Sequence, residues 1–138
     1  MSGKAFLDTN ILLYCFDNAD SRKQELARNL VNSLLDVDSV RISTQTLQEY
    51  YNVITKKLKC DKKEALKNVE RYSEIFPVHT NTVKDILSAI SISVKNKLSF
   101  YDSLIIAAAK AEACGTVYSE DLNDGQKVDG VKIVNPFK

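Results

Sequence analysis

A single aspartate separates two apolar runs near the start of the chain, and this feature restricts the fold more than any other. From Ala5 to Leu12 the sequence is apolar except at the triplet Asp8-Thr9-Asn10. The run Ala5 to Leu7 is typical of a central parallel strand that is buried on both faces. Asp8 then stands where this strand leaves the sheet, and in open α/β sheets ligands bind at the carboxyl ends of strands.

Strand-like and helix-like segments alternate along the rest of the sequence. Further β-rich runs occur at 40–42, 75–78, 116–118 and 131–134, with helical periodicities between them. This alternation predicts an α/β protein, a three-layer α/β/α sandwich around a mostly parallel sheet. A length of 138 residues is suited to one domain, so we expect residues 1–138 to form a single domain.

Three helices are predicted together with the residues that face the core or end the helix. The first is segment 44–58, with Leu47, Tyr51, Ile54 and Leu58 inward. The second is capped by Thr80 or Thr82 and extends to about Lys95, with Val83, Ile86, Leu87 and Ile90 inward, and the third is an alanine-rich helix from Ser99 to Cys114 that Gly115 ends.

Composition indicates an ordinary soluble protein, with 44% hydrophobic and 27% charged residues. No apolar run approaches the ~20 residues of a membrane span, and no signal peptide is visible. The cysteines number three and lack metal-site spacing, which favours free thiols in a reducing compartment. We therefore expect a cytoplasmic protein with no membrane partner. A net charge of +1 gives no strong general attraction for nucleic acid, so any such affinity needs local lysines or bound metal ions.

Four acids are predicted to face one edge of the sheet. Asp8 and Asp121 each follow a buried strand, so both lie at its carboxyl edge. Glu49 is in the first turns of the helix after strand 40–42, and Asp102 is in the first turn of the alanine-rich helix. How closely the four converge depends on the strand order, which the sequence leaves open.

Each acid also has a purely structural interpretation. Thr46 and Glu49 have capping-box spacing, as do Ser99 and Asp102, and a first-turn acid is favoured by the helix dipole. Asp121 precedes turn-forming residues. Asp8 resists such an explanation, because an acid between two apolar runs needs a partner that offsets its desolvation. Taken together, the four favour a site.

Clustered carboxylates repel one another and are stabilised by cations. Ligation by carboxylates alone, without cysteine or a well-placed histidine, favours Mg²⁺ or Mn²⁺ over zinc. Such ions bind phosphate oxygens and lower the pKa of a bound water, so phosphoester hydrolysis is the reaction class that the acids indicate.

The chain resembles the PIN-domain nucleases, and among them the small VapC-type toxins, over nearly its whole length. The resemblance rests on Leu7-Asp8-Thr9-Asn10, on Glu49 within Gln48-Glu49-Tyr50, on Tyr101-Asp102, and on Tyr118-Ser119-Glu120-Asp121-Leu122 with Gly125 and the closing Val134-Asn135-Pro136-Phe137. No single motif is specific, but the ordered set at these separations is.

The resemblance implies a PIN-like fold and a metal-dependent endoribonuclease, the toxin of a toxin–antitoxin pair, with Asp8, Glu49, Asp102 and Asp121 as the catalytic acids. Asp8, Asp102 and Asp121 would hold Mg²⁺, or Mn²⁺, directly or through water, and Glu49 would complete the site. Thr9, Asn10 and Ser119 occupy supporting positions. Asn123 replaces a fifth acid of many members, with Asp124 beside it. Family members are usually homodimers that bind RNA and are silenced by a cognate antitoxin.

Other functions are possible for an α/β chain with acids at one edge of its sheet. An RNA-processing PIN nuclease outside a toxin–antitoxin system stays open, whereas a non-catalytic RNA- or protein-binding module is disfavoured because all four acids are present. A receiver domain would need adjacent acids after its first strand, and an Asp-x-Asp phosphohydrolase would need an acid at Asn10.

Several residues outside the acids have a binding interpretation beside a structural one. His79 is expected at an edge strand and is given no catalytic role. Tyr50 and Tyr51 offer faces for base stacking, but Tyr51 is on the apolar stripe and core packing is preferred. Two groups of lysines are candidates for phosphate contact: Lys56, Lys57 and Lys59, and Lys95 and Lys97.

Overall fold

The computed structural model describes residues 3–138, in which strands and helices alternate. The strands are β1 (Ala5–Leu7), β2 (Val40–Ser43), β3 (Val78–His79), β4 (Thr116–Tyr118), β5 (Lys127–Val128) and β6 (Val131–Val134). The helices are α1 (Thr9–Phe16), α2 (Ser21–Asp36), α3 (Thr44–Lys56), α4 (Lys62–Ile75), α5 (Val83–Asn96) and α6 (Phe100–Ala111). None of the helices within residues 3–138 is both long and apolar enough to cross a membrane.

The strands form one sheet in the order β3-β2-β1-β4-β6-β5. Every neighbouring pair is parallel except β5 and β6, so the predicted mostly parallel sheet is confirmed. Strand β5 was not predicted. It pairs with β6 across Asp129 and Gly130, whose φ angles of 50° and 85° are those of a two-residue hairpin turn.

Successive side chains of β1 face the two halves of the core. Phe6 packs with residues of α5 and α6, whereas Leu7 packs with residues of α1 to α4. Both side chains are fully buried, because helices cover the two faces of the sheet. The three-layer α/β/α arrangement follows from this.

Helix α5 is turned opposite to the prediction. Its buried residues are Asp85, Ala89 and Ile92, so the side of the helix that carries these three lies against the core. The predicted inward residues Val83, Ile86, Leu87 and Ile90 are exposed, together with Val94. The periodicity correctly identifies the apolar face of α5 but does not show whether this face packs against the core or is exposed.

The inward stripe of α3 is confirmed, but one core residue beside it was missed. Ile54 is buried and Leu47, Tyr51 and Leu58 are half-buried against the core, whereas the fully buried tyrosine is Tyr50, at 1% exposure. The predicted end of the alanine-rich helix is wrong. Helix α6 ends before Gly115, because Ala113 adopts the left-handed conformation with φ 57°. The amide of Gly115 instead donates to the carbonyl of Lys4 and so starts the approach to β4.

Candidate functional site

The four acids of the sequence analysis line one cleft of about 370 Å³. Strand β1 lies between β2 and β4 in the sheet. The connection from β1 to β2, through α1 and α2, covers one face of the sheet, and the connection from β3 to β4, through α5 and α6, covers the other. The boundary between β1 and β4 is therefore a switch point, where α/β proteins bind ligands. Asp8 follows β1, Asp121 follows β4, Glu49 lies on α3 and Asp102 on α6. We call this space the acidic cleft; its polar lining is Asp8, Thr9, Asn10, Gln45, Glu49, Asn52, Asp102 and Asp121.

Asp8 is the most buried of these acids, with 6% exposure. Its Oδ1 accepts from the amide of Thr9 at 2.7 Å, which makes Asp8 the N-cap of α1, and its Oδ2 accepts from the hydroxyl of Ser119 at 2.8 Å. Burial raises the pKa of Asp8 to about 6; the bonds from Ser119 and Thr9 oppose the rise, and the charges of Glu49 and Asp121 add to it. The fold therefore holds this carboxylate in an environment that disfavours its charge.

Ser119 and Asn10 tie the loop after β4 to the start of α1. The Ser119 hydroxyl also accepts from the amides of Asp121 and Leu122, at 3.1 and 3.3 Å. Asn10 donates from Nδ2 to Asp121 Oδ2 at 3.2 Å and accepts at Oδ1 from the amide of Glu120 at 3.1 Å. Because Ser119 and Asn10 are buried, they fix Asp121 relative to Asp8.

Glu49 is held by two side chains rather than used as a helix cap. Its Oε1 accepts from the Thr9 hydroxyl at 2.6 Å, and its Oε2 accepts from Gln45 Nε2 at 3.2 Å. The cap of α3 is Ser43, which forms a capping box with Thr46, so the Thr46–Glu49 alternative is wrong.

Gln45 is a contributor to the cleft that the sequence analysis missed. Its Nε2 also donates to the carbonyl of Tyr101 at 3.1 Å, which joins α3 to the start of α6. The signal that could have identified it is the separation of four residues from Glu49, which puts both on one helix face.

Asp102 has a free carboxylate. The hydroxyl of Ser99 caps α6 by accepting from the amide of Asp102 at 3.1 Å, so the cap uses the backbone of this residue. Within residues 3–138 the carboxylate itself makes no hydrogen bond and no ion pair. The contacts of Asp102 therefore indicate no structural role for its carboxylate in the cleft.

The acids of the cleft carry uncompensated charge. Within residues 3–138 none of the four forms an ion pair with lysine, arginine or histidine. The neighbouring Glu120 contrasts with them, because it pairs with Lys23 and accepts from the hydroxyl of Tyr14. Like charges in a partly desolvated space are costly, so the cleft is suited to binding a cation.

The remaining sequence candidates have their contacts elsewhere. Asn123 donates to Gln126 Oε1 at 3.1 Å, and Asp124 accepts from the amide of Asn135 at 2.8 Å; neither lines the acidic cleft. His79 lies outside it as well. Its Nε2 is 2.8 Å from Asp85 Oδ2 and its Nδ1 is 2.7 Å from Glu112 Oε2.

A family model described as "PIN domain" matches residues 5–129, which is most of the chain and includes all four acids. The chain belongs to the PIN-domain family. No curated protein sequence matches this PIN domain significantly.

Solved structures share the fold of this PIN domain at low sequence identity. The VapC20 toxin of Mycobacterium tuberculosis, described as cleaving the sarcin–ricin loop, is 20% identical, with a TM-score of 0.69 over 86% of this chain and 90% of that one. The DNA-bound VapBC complex of Salmonella typhimurium gives 22% identity and a TM-score of 0.72, with 96% and 97% of the chains covered. VapBC2 of Rickettsia felis, bound to a DNA fragment of its promoter, is 18% identical, with a TM-score of 0.70 over 94% of this chain and 96% of that one.

The donor atoms of the PIN domain suit a hard divalent cation. The cleft offers carboxylate oxygens and a buried amide oxygen, Gln45 Oε1, that has no hydrogen-bond partner among residues 3–138. Within residues 3–138 no three Asp, Glu, His or Cys side chains are grouped closely enough to hold a metal ion. Ligation of one ion by three carboxylates would therefore require these side chains to move closer together. Mg²⁺ is more often bound by one or two carboxylates, with water molecules as its other ligands.

Proposed function

We propose that residues 1–138 act as one PIN domain that hydrolyses RNA phosphodiester bonds with Mg²⁺ or Mn²⁺, as the toxin of a toxin–antitoxin pair. The observation that carries this proposal is the set of four carboxylates that line one cleft without a single ion pair among residues 3–138. A cleft of this charge repels RNA phosphates unless cations occupy it. A divalent ion removes the repulsion and makes the same cleft attractive to a phosphate.

The structural relatives support the toxin assignment over an RNA-processing nuclease that acts without an antitoxin. VapC20 is described as a toxin that cleaves the sarcin–ricin loop, and a similar structure from Klebsiella pneumoniae is described as a toxin–antitoxin complex. By analogy we propose a cognate antitoxin as a partner and the cytoplasm as the compartment.

In this proposal the residues of the cleft have different roles. Asp8, Asp102 and Asp121 would hold the ion, which would lower the pKa of a bound water and neutralise phosphate charge. Thr9 and Gln45 fix the two oxygens of Glu49, so its carboxylate is oriented before substrate binds. Ser119 and Asn10 keep Asp8 and Asp121 in register. Asp8 must be ionised to bind a cation, and its raised pKa predicts that metal binding weakens as the pH decreases toward 6.

Cleavage of total cellular RNA tests the proposal. The wild-type chain, free of antitoxin, is expected to release discrete fragments with Mg²⁺ or Mn²⁺ and none with EDTA. Asp8→Asn is expected to abolish cleavage, whereas the matched change Asp36→Asn, at an exposed residue of α2, is expected to preserve it. Cleavage that persists in EDTA or in Asp8→Asn would contradict the proposed site, and a folded, metal-loaded chain without cleavage would favour the binding-module alternative.

The exposed face of α5 supports a homodimer. Val83, Leu87 and Val94 are 71%, 63% and 78% exposed, and Ile86 and Ile90 complete the stripe. Five large apolar side chains on one helix are more than scattered surface residues, and such stripes mark interaction sites. A helix face of this kind is self-complementary about a two-fold axis, because the same residues meet from both subunits.

Sedimentation measurements test the α5 interface. Leu87→Glu is expected to convert a dimer into a monomer, whereas Val37→Glu, at an equally exposed apolar residue of the α2 C-terminus, is expected to leave it unchanged. A wild-type chain that is monomeric at high concentration would exclude this interface.

A further inference from the structure

A second groove adjoins the acidic cleft. It has a volume of about 750 Å³ and lies between α3, α4 and the start of α6. Its walls are mainly apolar, and we call it the apolar groove: Leu47, Tyr51, Leu66, Val69 and Tyr101, with Gln48, Glu49 and Asn52 at its polar edge. Glu49 and Asn52 line both the groove and the acidic cleft, so the two spaces are neighbours that share a wall.

The groove presents large side chains to solvent beside a charged site. Tyr101 is 63% exposed and Leu66 is 55% exposed. Tyr101 is nevertheless held in place, because its carbonyl accepts from Gln45 and its ring packs edge-on against Phe100 with 5.1 Å between ring centroids. It directly precedes Asp102, whose carboxylate lines the acidic cleft. An exposed aromatic ring on a fixed backbone at this position offers a ready stacking surface.

A basic segment continues from the groove. The stretch 56–67 connects α3 to α4 and includes Leu66 of the groove wall; it contains six lysines and two acids. The six are Lys56, Lys57, Lys59, Lys62, Lys63 and Lys67, all exposed. None of them makes an ion pair within residues 3–138. The charge along this path therefore changes from negative in the cleft, through apolar in the groove, to positive in the lysine segment.

We propose that the apolar groove binds an unpaired base of the RNA whose phosphate lies in the acidic cleft. This inference rests on the proposed function and adds the means by which substrate is selected. Tyr101 and Tyr51 supply rings for stacking, and Gln48 and Asn52 supply amides that can bond to base edges. The lysines of 56–67 neutralise the backbone phosphates of the following nucleotides.

The charge pattern favours RNA over an apolar protein helix as the occupant. Single-stranded RNA alternates flat apolar bases with anionic phosphates, which corresponds to an apolar groove followed by unpaired lysines. An apolar helix would fill the groove but would leave the six lysines without partners. Recognition through unstacked bases restricts the substrate to loops, bulges and single strands, because a paired base cannot enter the groove.

Equilibrium binding to the full chain tests the groove without interference from cleavage. In an Asp8→Asn background, fluorescence anisotropy compares a labelled 12-nucleotide random-sequence RNA with an abasic ribose-phosphate oligomer of the same length. Tyr101→Ala is expected to weaken RNA binding by about 5- to 100-fold, since stacking on one aromatic ring contributes that much. The same change is expected to leave binding of the abasic oligomer unaltered, and Tyr101→Phe, which keeps the ring, should retain RNA binding.

The lysine segment has its own readout. The double variant Lys59→Gln/Lys63→Gln is expected to weaken binding of both oligomers and to reduce the salt dependence of binding, whereas Lys132→Gln, at an exposed lysine of β6, serves as the control. Equal salt dependence in the double variant and the control would refute a role of this segment.

The outcomes distinguish this inference from the proposed function. If wild-type protein cleaves RNA with metal but a folded Tyr101→Ala binds and cleaves RNA normally, the groove does not bind a base and the nuclease assignment stands. If wild-type protein neither cleaves nor binds RNA, both proposals are wrong. If Tyr101→Ala loses affinity for a co-purifying protein and not for RNA, the groove is a protein site and the inference is overturned.

Discussion

Asp8→Asn is expected to stabilise the metal-free protein at neutral pH. The pKa of Asp8 is raised from 3.8 to about 6 in the fold, mainly by burial. Each tenfold change in proton affinity corresponds to about 1.4 kcal/mol, so the charged carboxylate costs the folded state about 3 kcal/mol once the pH is well above 6. Asparagine avoids this cost but leaves the Ser119 hydroxyl or the Thr9 amide poorly paired, at about 1 kcal/mol. The net gain is about 2 kcal/mol.

The sign of the pH dependence makes this prediction sharp. The folded state holds the Asp8 proton more tightly than the unfolded chain, so wild-type stability decreases as the pH rises from about 4 to about 6 and remains lower above that. Asp8→Asn lacks this component. The variant should therefore be more stable by about 2 kcal/mol at about pH 7.5. At about pH 4 only about 0.5 kcal/mol of the charge cost is present, so the loss of about 1 kcal/mol from the poorly paired donor should leave the variant about 0.5 kcal/mol less stable than wild type.

Urea unfolding in EDTA, followed by circular dichroism at both pH values, measures the difference. Asp36→Asn, the same change at an exposed residue, should differ little from wild type at either pH. An advantage of Asp8→Asn that is absent at neutral pH, or that is the same at both pH values, would refute the argument from burial. Adding Mg²⁺ should raise wild-type stability more than that of the variant, since a bound cation favours the ionised carboxylate.

Three further predictions concern residues that support the fold. Ser119→Ala should destabilise the protein by about 2 kcal/mol in urea unfolding, because one buried hydroxyl serves Asp8 and two backbone amides; an unchanged midpoint would contradict this. Ala113→Gly should raise the melting temperature by the equivalent of about 0.5 kcal/mol, since the left-handed conformation at φ 57° suits glycine; a lower melting temperature would count against strain there. Burial by itself would lower the pKa of His79, but hydrogen bonds and charges from Asp85 and Glu112 outweigh it and raise the pKa. The stability this histidine contributes should be complete below about pH 6.5 and lost as the pH rises through the raised pKa; NMR titration that finds an ordinary pKa would refute it.

The alternation of strands and helices along the chain, and the edge of the sheet where the acids lie, could be predicted from sequence for a physical reason, whereas the order of the strands in the sheet could not. Asp8 and Asp121 come directly after apolar runs, and the end of a buried strand fixes where such a residue lies whatever its side chain does. The partners of the acids could not be predicted in this way. The bonds from Thr9 and Gln45 to Glu49 depend on how α1 and α3 pack, which no local pattern determines.

The errors on helix faces have a related origin. Periodicity locates an apolar stripe but does not distinguish burial in the core from exposure toward a partner, and on α5 the inner side carries Asp85, Ala89 and Ile92. On α3 adjacent tyrosines differ by about 100° around the helix axis, so Tyr51 on the predicted stripe is half-buried against the core while Tyr50 beside it is fully buried.

The placement of β4 affects when the acidic cleft can exist. Strand β4 pairs with β1, from the start of the chain, and with β6, from near its end. During synthesis Asp8 and Glu49 therefore leave the ribosome long before Ser119 and Asp121. In the folded protein the amide of Ser119 donates to the carbonyl of Val134 in β6. The loop that contains Ser119 lacks this hydrogen bond until residues 131–134 have been synthesised and pair with β4. The cleft therefore depends on residues 131–134, and a chain cut short before them carries all four acids without this support for Asp121.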